Sequence, residues 1–178
     1  GPVSAKTQLH LDRCLTCRAC ETTCPSGVRY GRLVDIGRAV VGRRTRRGPL
    51  DRLFRAVLSF VLPRTALFKF LVSVGTALRP LVPDAVKEKL PRAVAPPGAW
   101  PAPRHARRML GLAGCVQPAL APSINAAAAR VLDRFGVSLV EVPGAGCCGA
   151  VRFHLDDQEG GRDDMRALID AWWPLVER

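Results

Sequence analysis

The chain has 178 residues, of which 48% are hydrophobic, and it carries 27 Lys or Arg against 15 Asp or Glu. This much apolar surface excludes a disordered tail, and no run of about 18 apolar residues predicts a membrane-spanning helix. The positive charge lies in residues 1–104, which hold 19 basic and 6 acidic residues, whereas residues 105–178 hold 8 and 9. The first part is therefore predicted to face an acidic protein, an anionic lipid surface or nucleic acid, or to be a solvated basic face.

The chain contains an odd number of cysteines, and two of them are adjacent. No signal peptide opens the sequence, so a secreted disulfide framework is disfavoured and metal-bound thiolates in a reducing cytoplasm are favoured. The sequence begins with Gly1-Pro2 and its methionines are Met109 and Met165, so we expect an internal fragment of a longer protein. The seven cysteines are Cys14, Cys17, Cys20, Cys24, Cys115, Cys147 and Cys148.

The first predicted unit, residues 1–42, carries four cysteines in a loop between short helical segments. Apolar residues recur at helical spacing within 27–42, which predicts a helix after this loop. The basic stretch RRTRRGP at 43–49 then predicts a turn.

Residues 43–90 form the second predicted unit, a basic helical segment. Asp51 is the predicted N-cap of its first helix, which ends before Pro63, and Asp84 is the predicted cap of its last, short helix. The predicted helices cover 51–62, 65–78 and 84–90.

Five prolines between residues 91 and 103 predict a semi-rigid linker over 91–104. Residues 105–178 then follow the order strand, helix, strand, helix, which predicts a parallel sheet with a right-handed crossover. Because two strands cannot bury both faces of such a sheet, we expect this domain to be incomplete. The predicted elements cover 106–115, 122–137, 138–144 and 158–176, with Ser123 and Gly136 capping the first helix.

CLTCRACETTCP, residues 14–25, has the spacing C-x2-C-x2-C-x3-C-P. The short spacers let one loop place the thiolates of Cys14, Cys17 and Cys20 at adjacent corners of a four-iron, four-sulfur cube. Zinc knuckles use two separated C-x2-C pairs, and a C-x-x-C redox motif needs no further cysteine, so the spacing favours an iron–sulfur cluster. Cys24 either completes this cube or ligates a second cluster whose other ligands lie outside the chain. The spacing favours the second alternative.

A second group of cysteines lies at the ends of the two predicted strands. Cys115 follows the first strand, and GAGCCG at 144–149 follows the second. Ligand sites of parallel sheets form at these carboxyl ends, and glycines allow a bulky group to approach the backbone. We therefore expect Cys115, Cys147 and Cys148 to converge on a metal or to act as redox thiols. The alternative is that Cys115 is a small buried apolar residue.

Several other side chains are weaker candidates, and no residue is predicted to be catalytic. His154 is predicted as a ligand or proton carrier, or as a surface or packed histidine. Arg29 and Tyr30, directly after the cysteine motif, either shield a cluster from water or pack a helix. The sequence shows no catalytic triad, phosphate loop or dinucleotide fingerprint.

The segments HLDRCLTCRACETTCPSGVRYGRLVDIGR, ARVLDRFGV, GAGCCGAVRFHL and IDAWWP closely resemble the glycolate oxidase iron–sulfur subunits, members of the heterodisulfide-reductase-like cysteine-rich (CCG) family. The resemblance implies an α + α/β fold, in which a helical ferredoxin-like 4Fe-4S segment precedes a partial parallel α/β CCG domain. Cys14, Cys17 and Cys20 match three ligands of one cluster, and Cys24 matches the ligand of another. The second group, Cys115, Cys147 and Cys148, matches the first half of a cysteine-rich repeat.

The resemblance also implies a function, that of an electron-transfer subunit of a glycolate dehydrogenase without substrate catalysis of its own. A flavin-containing subunit oxidises glycolate to glyoxylate, and electrons pass through two 4Fe-4S clusters of the full-length subunit toward a quinone or another acceptor. The implied location is the cytoplasm, with peripheral contact with the inner face of the membrane left open.

Four alternatives remain at this point. The chain could serve a related 2-hydroxy acid (lactate) dehydrogenase or a heterodisulfide-reductase-like complex. It could also be a zinc-stabilised nucleic-acid-binding module, or a thiol–disulfide enzyme that uses Cys147 and Cys148. We expect no nucleic-acid partner, because the few aromatic residues near the basic ones make a poor stacking platform.

Overall fold

The computed structural model describes residues 3–88 and 90–176, so that Gly1, Pro2, Lys89, Glu177 and Arg178 lie outside the described residues. Most of the described chain is helical. The strands β1 (Arg107–Gly111) and β2 (Val137–Glu141) pair in parallel, with Arg107 opposite Val137 and Gly111 opposite Glu141. The parallel pairing agrees with the strand–helix–strand order of the sequence.

Three helices form the first part of the chain: α1 (Ala5–Asp12), α2 (Ala19–Thr22) and α3 (Tyr30–Arg44). The helix predicted within 27–42 is present, and it extends two residues further into the basic stretch that was predicted to be a turn. Helix α1 packs on α3. Short α2 is fixed to the start of α3, because the Glu21 carboxylate accepts a 2.6 Å hydrogen bond from the Gly31 N–H.

The basic segment forms helices α4 (Pro49–Val61) and α5 (Thr65–Ala77), which meet at 110°. Asp51 is not the N-cap of α4, since Gly48 holds that position and Pro49 opens the helix. Proline fits there because the first helical N–H has no partner within the helix. Within the described residues no single helix is long and apolar enough to cross a membrane, although the bent pair of α4 and α5 meets the length and composition criteria together.

A 3-10 turn at Arg79–Leu81 and the short helix α6 (Asp84–Lys87) complete this segment. Pro83, rather than Asp84, is the N-cap of α6. The helix predicted over 84–90 includes Lys89, which lies outside the described residues. Residues 91–104 contain no helix or strand, as the prolines predict.

The last part of the chain alternates helices with the two strands. Ser123 is the first residue of a helix rather than its cap, because Pro122 holds the N-cap. Gly136 follows the end of that helix with φ +74°, the left-handed conformation that glycine adopts most readily. The helices of this part are α7 (Gln117–Leu120), α8 (Ser123–Arg134), α9 (Ala150–His154) and α10 (Gln158–Val176).

The buried core consists of small residues and lies mainly around the sheet, where α8 packs on β2 and α9 on α10. Many large apolar side chains elsewhere are exposed. Assignment to the ferredoxin-like and CCG folds, and the unit boundaries 1–42, 43–90, 91–104 and 105–178, stay predictions. The buried apolar residues are Val41, Val72, Cys115, Ala119, Ala126, Ala129, Val137 and Ala145.

Candidate functional site

The first four cysteines lie in one segment, the cysteine loop (residues 13–29), between α1 and α3. Cys14 and Cys17 precede α2, Cys20 lies within it, and Cys24 follows it by two residues. Cys17 and Cys20 are exposed, whereas Cys14 and Cys24 are half-buried. The sequence predicted this placement between short helices, and all four thiols are free.

The backbone on both sides of Cys17 is left-handed. Thr16 has φ 54° and Arg18 has φ 58°, and neither is a glycine. A β-branched residue such as threonine rarely adopts this conformation, which costs about 1–3 kcal/mol and persists only where the surroundings impose it. The strain lies at the middle of the predicted ligand set, where a loop has to wrap around a bound group.

Cys24 lies at the centre of several hydrogen-bond donors. The backbone N–H groups of Val28, Ser26 and Gly27 and the Tyr30 hydroxyl lie around its sulfur. These donors, with the N–H of Val28 first among them, lower the pKa of the Cys24 thiol because they stabilise the thiolate. The same contact raises the pKa of the Tyr30 hydroxyl. The loop therefore favours the thiolate of Cys24, which is the form that metal ligation requires.

The donor chemistry of the cysteine loop fits an iron–sulfur cluster. Four free thiols lie within eleven residues, and thiolates are the ligands that such clusters use. Within residues 3–88 and 90–176, no group of three or more His, Cys, Asp or Glu side chains is arranged to hold a metal ion. The assignment of the ligands thus rests on donor type, on loop strain and on the donors around Cys24.

The second cysteine group lies at the carboxyl ends of the strands, as predicted. Cys115 follows β1 and is buried, and Cys147 and Cys148 lie in the CCG turn (residues 144–149) after β2. The side chains of Cys115 and Cys147 are within hydrogen-bonding reach of each other. Burial, together with this neighbour, raises the pKa of the Cys147 thiol to about 11. Without a bound metal, this thiol is neutral at physiological pH.

Gly149 fixes the CCG turn against α10. It has φ +77°, and a Cβ placed there would lie 2.1 Å from the carbonyl oxygen of Gly161. Its N–H donates to the sulfur of Cys147 at 3.4 Å. Glycine is therefore required both for the turn conformation and for the close approach of two backbones.

A cavity of about 530 Å³ opens beside Cys147. One wall is the corner between α4 and α5, where the Arg64 guanidinium lies 3.8 Å from the centre of the Phe60 ring. The opposite wall includes Arg152, which pairs with Asp157 and Asp164. Sequence reasoning missed this cavity, because its walls come from segments about 85 residues apart.

Two arginines of the basic segment form an ion-pair cluster, which the sequence did not reveal. Arg47 contacts Asp12 and Asp156, both at 2.5 Å, and Arg55 contacts Asp12 at 3.0 Å. These arginines outweigh the effect of burial and lower the pKa of the Asp12 carboxyl. Asp51 also joins the cluster. The cluster links α1, α4 and the chain after α9, so part of the basic segment is structural and not a solvated face.

Helix α4 also carries an apolar stripe that faces solvent. Its members recur at three- and four-residue spacing and so share one side of the helix. Exposure ranges from 48% for Val57 to 80% for Leu50. The stripe consists of Leu50, Leu53, Phe54, Val57 and Phe60.

His154 is an exposed residue at the end of α9, and its Nδ1 atom lies 3.1 Å from Arg38 Nη1. Since a guanidinium only donates, the imidazole accepts at Nδ1. This contact leaves its predicted roles as ligand or proton carrier untested. Arg38 was not singled out from the sequence, because its partners lie up to 116 residues away.

The chain is 54% identical over 175 residues to the glycolate oxidase iron-sulfur subunit of Escherichia coli (strain K12). The aligned residues make up 98% of this chain and 43% of that protein. The resemblance to this family is confirmed. The probable glycolate oxidase iron-sulfur subunit of Bacillus subtilis (strain 168) is 26% identical over 195 residues, covering 93% of this chain and 43% of that protein. The chain therefore spans less than half the length of these two relatives. No family model and no solved structure matches it.

Proposed function

We propose that this chain is part of the electron-transfer iron–sulfur subunit of a glycolate-oxidising complex. The observation that carries the proposal is the 54% identity, over nearly the whole chain, to a protein named as that subunit. The free thiols of the cysteine loop and the donors around Cys24 support it from the structure.

In this proposal Cys14, Cys17 and Cys20 hold one 4Fe-4S cluster. Cys24 serves a second cluster, whose remaining ligands belong to the full gene product. When bound, such a cluster accepts and releases one electron at a time. The protein chain supplies the thiolates and orients them through the cysteine loop.

Cys115, Cys147 and Cys148 are proposed to bind a further redox group and not to act as a dithiol enzyme. A nucleophilic cysteine needs a lowered pKa, whereas burial raises that of Cys147 to about 11. Coordination to a metal removes the thiol proton outright, which is compatible with a buried site. The observation therefore favours ligation over thiol–disulfide exchange.

No residue of this chain is proposed to act on glycolate itself. Oxidation of glycolate to glyoxylate is assigned to a flavin-containing partner subunit, which passes electrons to the clusters. A quinone or another acceptor then receives them. A cytoplasmic location is part of this proposal, and peripheral contact with the inner face of the membrane is a separate proposal.

The proposal is tested with the full gene product, purified anaerobically together with its flavin-containing partner. We expect glycolate to reduce the clusters, seen as a new EPR signal, and to do so faster than lactate or a heterodisulfide–thiol couple at equal concentration. A faster response to lactate would assign the complex to the related 2-hydroxy acid dehydrogenases. Absence of any reducible iron would overturn the proposal.

The apolar stripe of α4 is proposed to contact an anionic membrane surface. Exposed basic side chains lie on α4 or shortly before it, including Arg44, Arg46 and Arg52. An apolar face combined with a polar face that carries arginine is typical of helices that lie in the membrane interface. Arg47 and Arg55 do not contribute, because their charges are paired with carboxylates.

Sedimentation of the full gene product with lipid vesicles tests this contact. We expect binding to vesicles that contain phosphatidylglycerol and none to pure phosphatidylcholine, with a loss of about tenfold or more for Phe54→Glu. Ile169→Glu is the control, since Ile169 is exposed to a similar extent on α10. Absence of vesicle binding in the unmodified protein would overturn the proposed membrane contact.

A further inference from the structure

Arg38 is a buried arginine of α3 whose guanidinium reaches into the cysteine loop. It is only 6% exposed. Its Nη2 atom donates to the carbonyl of Cys14 at 2.6 Å and to that of Leu11 at 3.0 Å, and its Nη1 atom donates to the Thr16 hydroxyl at 3.2 Å. The residue thus holds the chain on both sides of the first predicted ligand and at the strained position next to Cys17.

Within the part of the chain that the structure describes, no carboxylate forms an ion pair with Arg38. Among the ion pairs of residues 3–88 and 90–176, none includes Arg38, and the nearby Asp12 is already shared between Arg47 and Arg55. The hydrogen-bond partners of Arg38 are carbonyl oxygens, the Thr16 hydroxyl and the Nδ1 atom of His154, and none of them is a carboxylate. Asp12 lies within electrostatic reach of Arg38 but already serves the other two arginines, so the buried charge of Arg38 is only partly balanced. Because an unbalanced buried charge is costly, this arrangement favours a further negative group nearby.

We infer that Arg38 is a positioning residue and the buried counter-charge for the iron–sulfur cluster of the cysteine loop, and that it raises the reduction potential of this cluster. The inference rests on the proposed function. One added electron makes a thiolate-ligated cluster more negative, and a fixed positive charge stabilises the reduced form more than the oxidised form. Low local dielectric strengthens this effect compared with an arginine in water.

The same guanidinium connects the two cysteine groups. Its Nη1 atom contacts His154, which lies six residues after Cys148. The cysteine loop and the chain that follows the CCG turn therefore share one fixed hydrogen-bond centre.

The test is a potentiometric EPR titration of the full gene product with its partner subunits, comparing Arg38→Gln and Arg38→Lys with the unmodified protein. Glutamine removes the charge but retains an amide that can donate, whereas lysine retains the charge without the planar fork. We expect Arg38→Gln to shift the reduction equilibrium at least about tenfold toward the oxidised form, which is about 59 mV for one electron. Arg38→Lys should shift it less than threefold.

Arg43→Gln is the matched control, because Arg43 is an exposed residue of the same helix. This substitution removes the same charge as Arg38→Gln, but from a position where water and salt screen it. The reduction equilibrium should therefore change less than twofold. If Arg38→Gln loses the cluster while Arg38→Lys keeps it at the original potential, the requirement for the charge is also supported.

The inference is overturned if Arg38→Gln retains the cluster at the original potential. It is also overturned if the lysine and glutamine variants lose the cluster equally, because the residue would then serve only folding. Failure of the proposed function is recognised separately, since the unmodified protein would show no iron–sulfur signal to titrate.

Discussion

The cysteine loop and the CCG turn contain the same kind of ligand atom in opposite surroundings. In the loop, Cys17 and Cys20 are exposed, and hydrogen-bond donors lower the pKa of the Cys24 thiol. At the strand ends, Cys115 is buried and the pKa of Cys147 is raised to about 11. The surroundings of Cys24 favour its thiolate, whereas ionisation of Cys147 requires the binding of a partner group.

The two cysteine groups also differ in where their ligand atoms come from along the chain. The loop brings four sulfurs from one short segment, and backbone strain and Arg38 already shape it. The turn brings Cys147 to Cys115 from across the sheet. Its ligand set depends on tertiary packing, so the two groups should respond differently to the same type of substitution.

Replacement of single cysteines gives the largest expected contrast. In the full gene product, Cys17→Ser should abolish the cluster of the cysteine loop, because a cube cannot be held by the remaining thiolates of one short loop. Cys147→Ser should leave that cluster intact. Iron content and the EPR spectrum of each purified variant measure the outcome, and loss of the same signal in both variants would contradict the separation into two sites.

Gly149→Ala should disturb the CCG turn and spare the cysteine loop. The added methyl group meets the Gly161 carbonyl, and the residue must keep a positive φ, so we expect a loss of about 2–3 kcal/mol in the free energy of unfolding. Chemical denaturation measures this value. Gly146→Ala is the control, since a Cβ at Gly146 meets nothing within 4 Å; equal losses in both variants would refute the role of close packing.

Alkylation of the metal-free full gene product should show a smaller contrast. At pH 8, roughly one thousandth of a thiol with a pKa of about 11 is ionised to the thiolate. The higher basicity of such a thiolate makes it more reactive, which offsets part of this difference. We expect iodoacetamide to label Cys24 about tenfold faster than Cys147, by mass spectrometry of the peptides. Labelling of Cys147 should still rise between pH 9 and 11, and equal rates at pH 8 would contradict the assigned surroundings.

Local patterns in the sequence predicted the parts of the fold that depend on neighbouring residues. Helix α10 spans Gln158–Val176 as expected, and the prolines of 91–103 leave that stretch without helix or strand. The expected N-caps were wrong at Asp51, Asp84 and Ser123. In each case a proline is the first residue of the helix or its N-cap. Proline is tolerated there because an N–H group at the helix start would have no partner within the helix.

Contacts between distant segments could not be predicted from the sequence. The ion pair of Arg47 with Asp156 spans 109 residues, and the contact of Arg38 with His154 spans 116. A surplus of arginine indicates only that some charge must be solvated or paired, and it does not indicate which residue is buried. The cysteine spacing was more informative, because Cys14 to Cys24 lie within eleven residues and a short segment limits how far apart their side chains can lie.

The most direct test of the central claim is the metal content of the full gene product after strictly anaerobic purification. The account predicts iron and acid-labile sulfide in equal amounts, at least four of each per chain, and their loss from the loop in the Cys14→Ser variant. A colourless protein that contains stoichiometric zinc and no sulfide would contradict it.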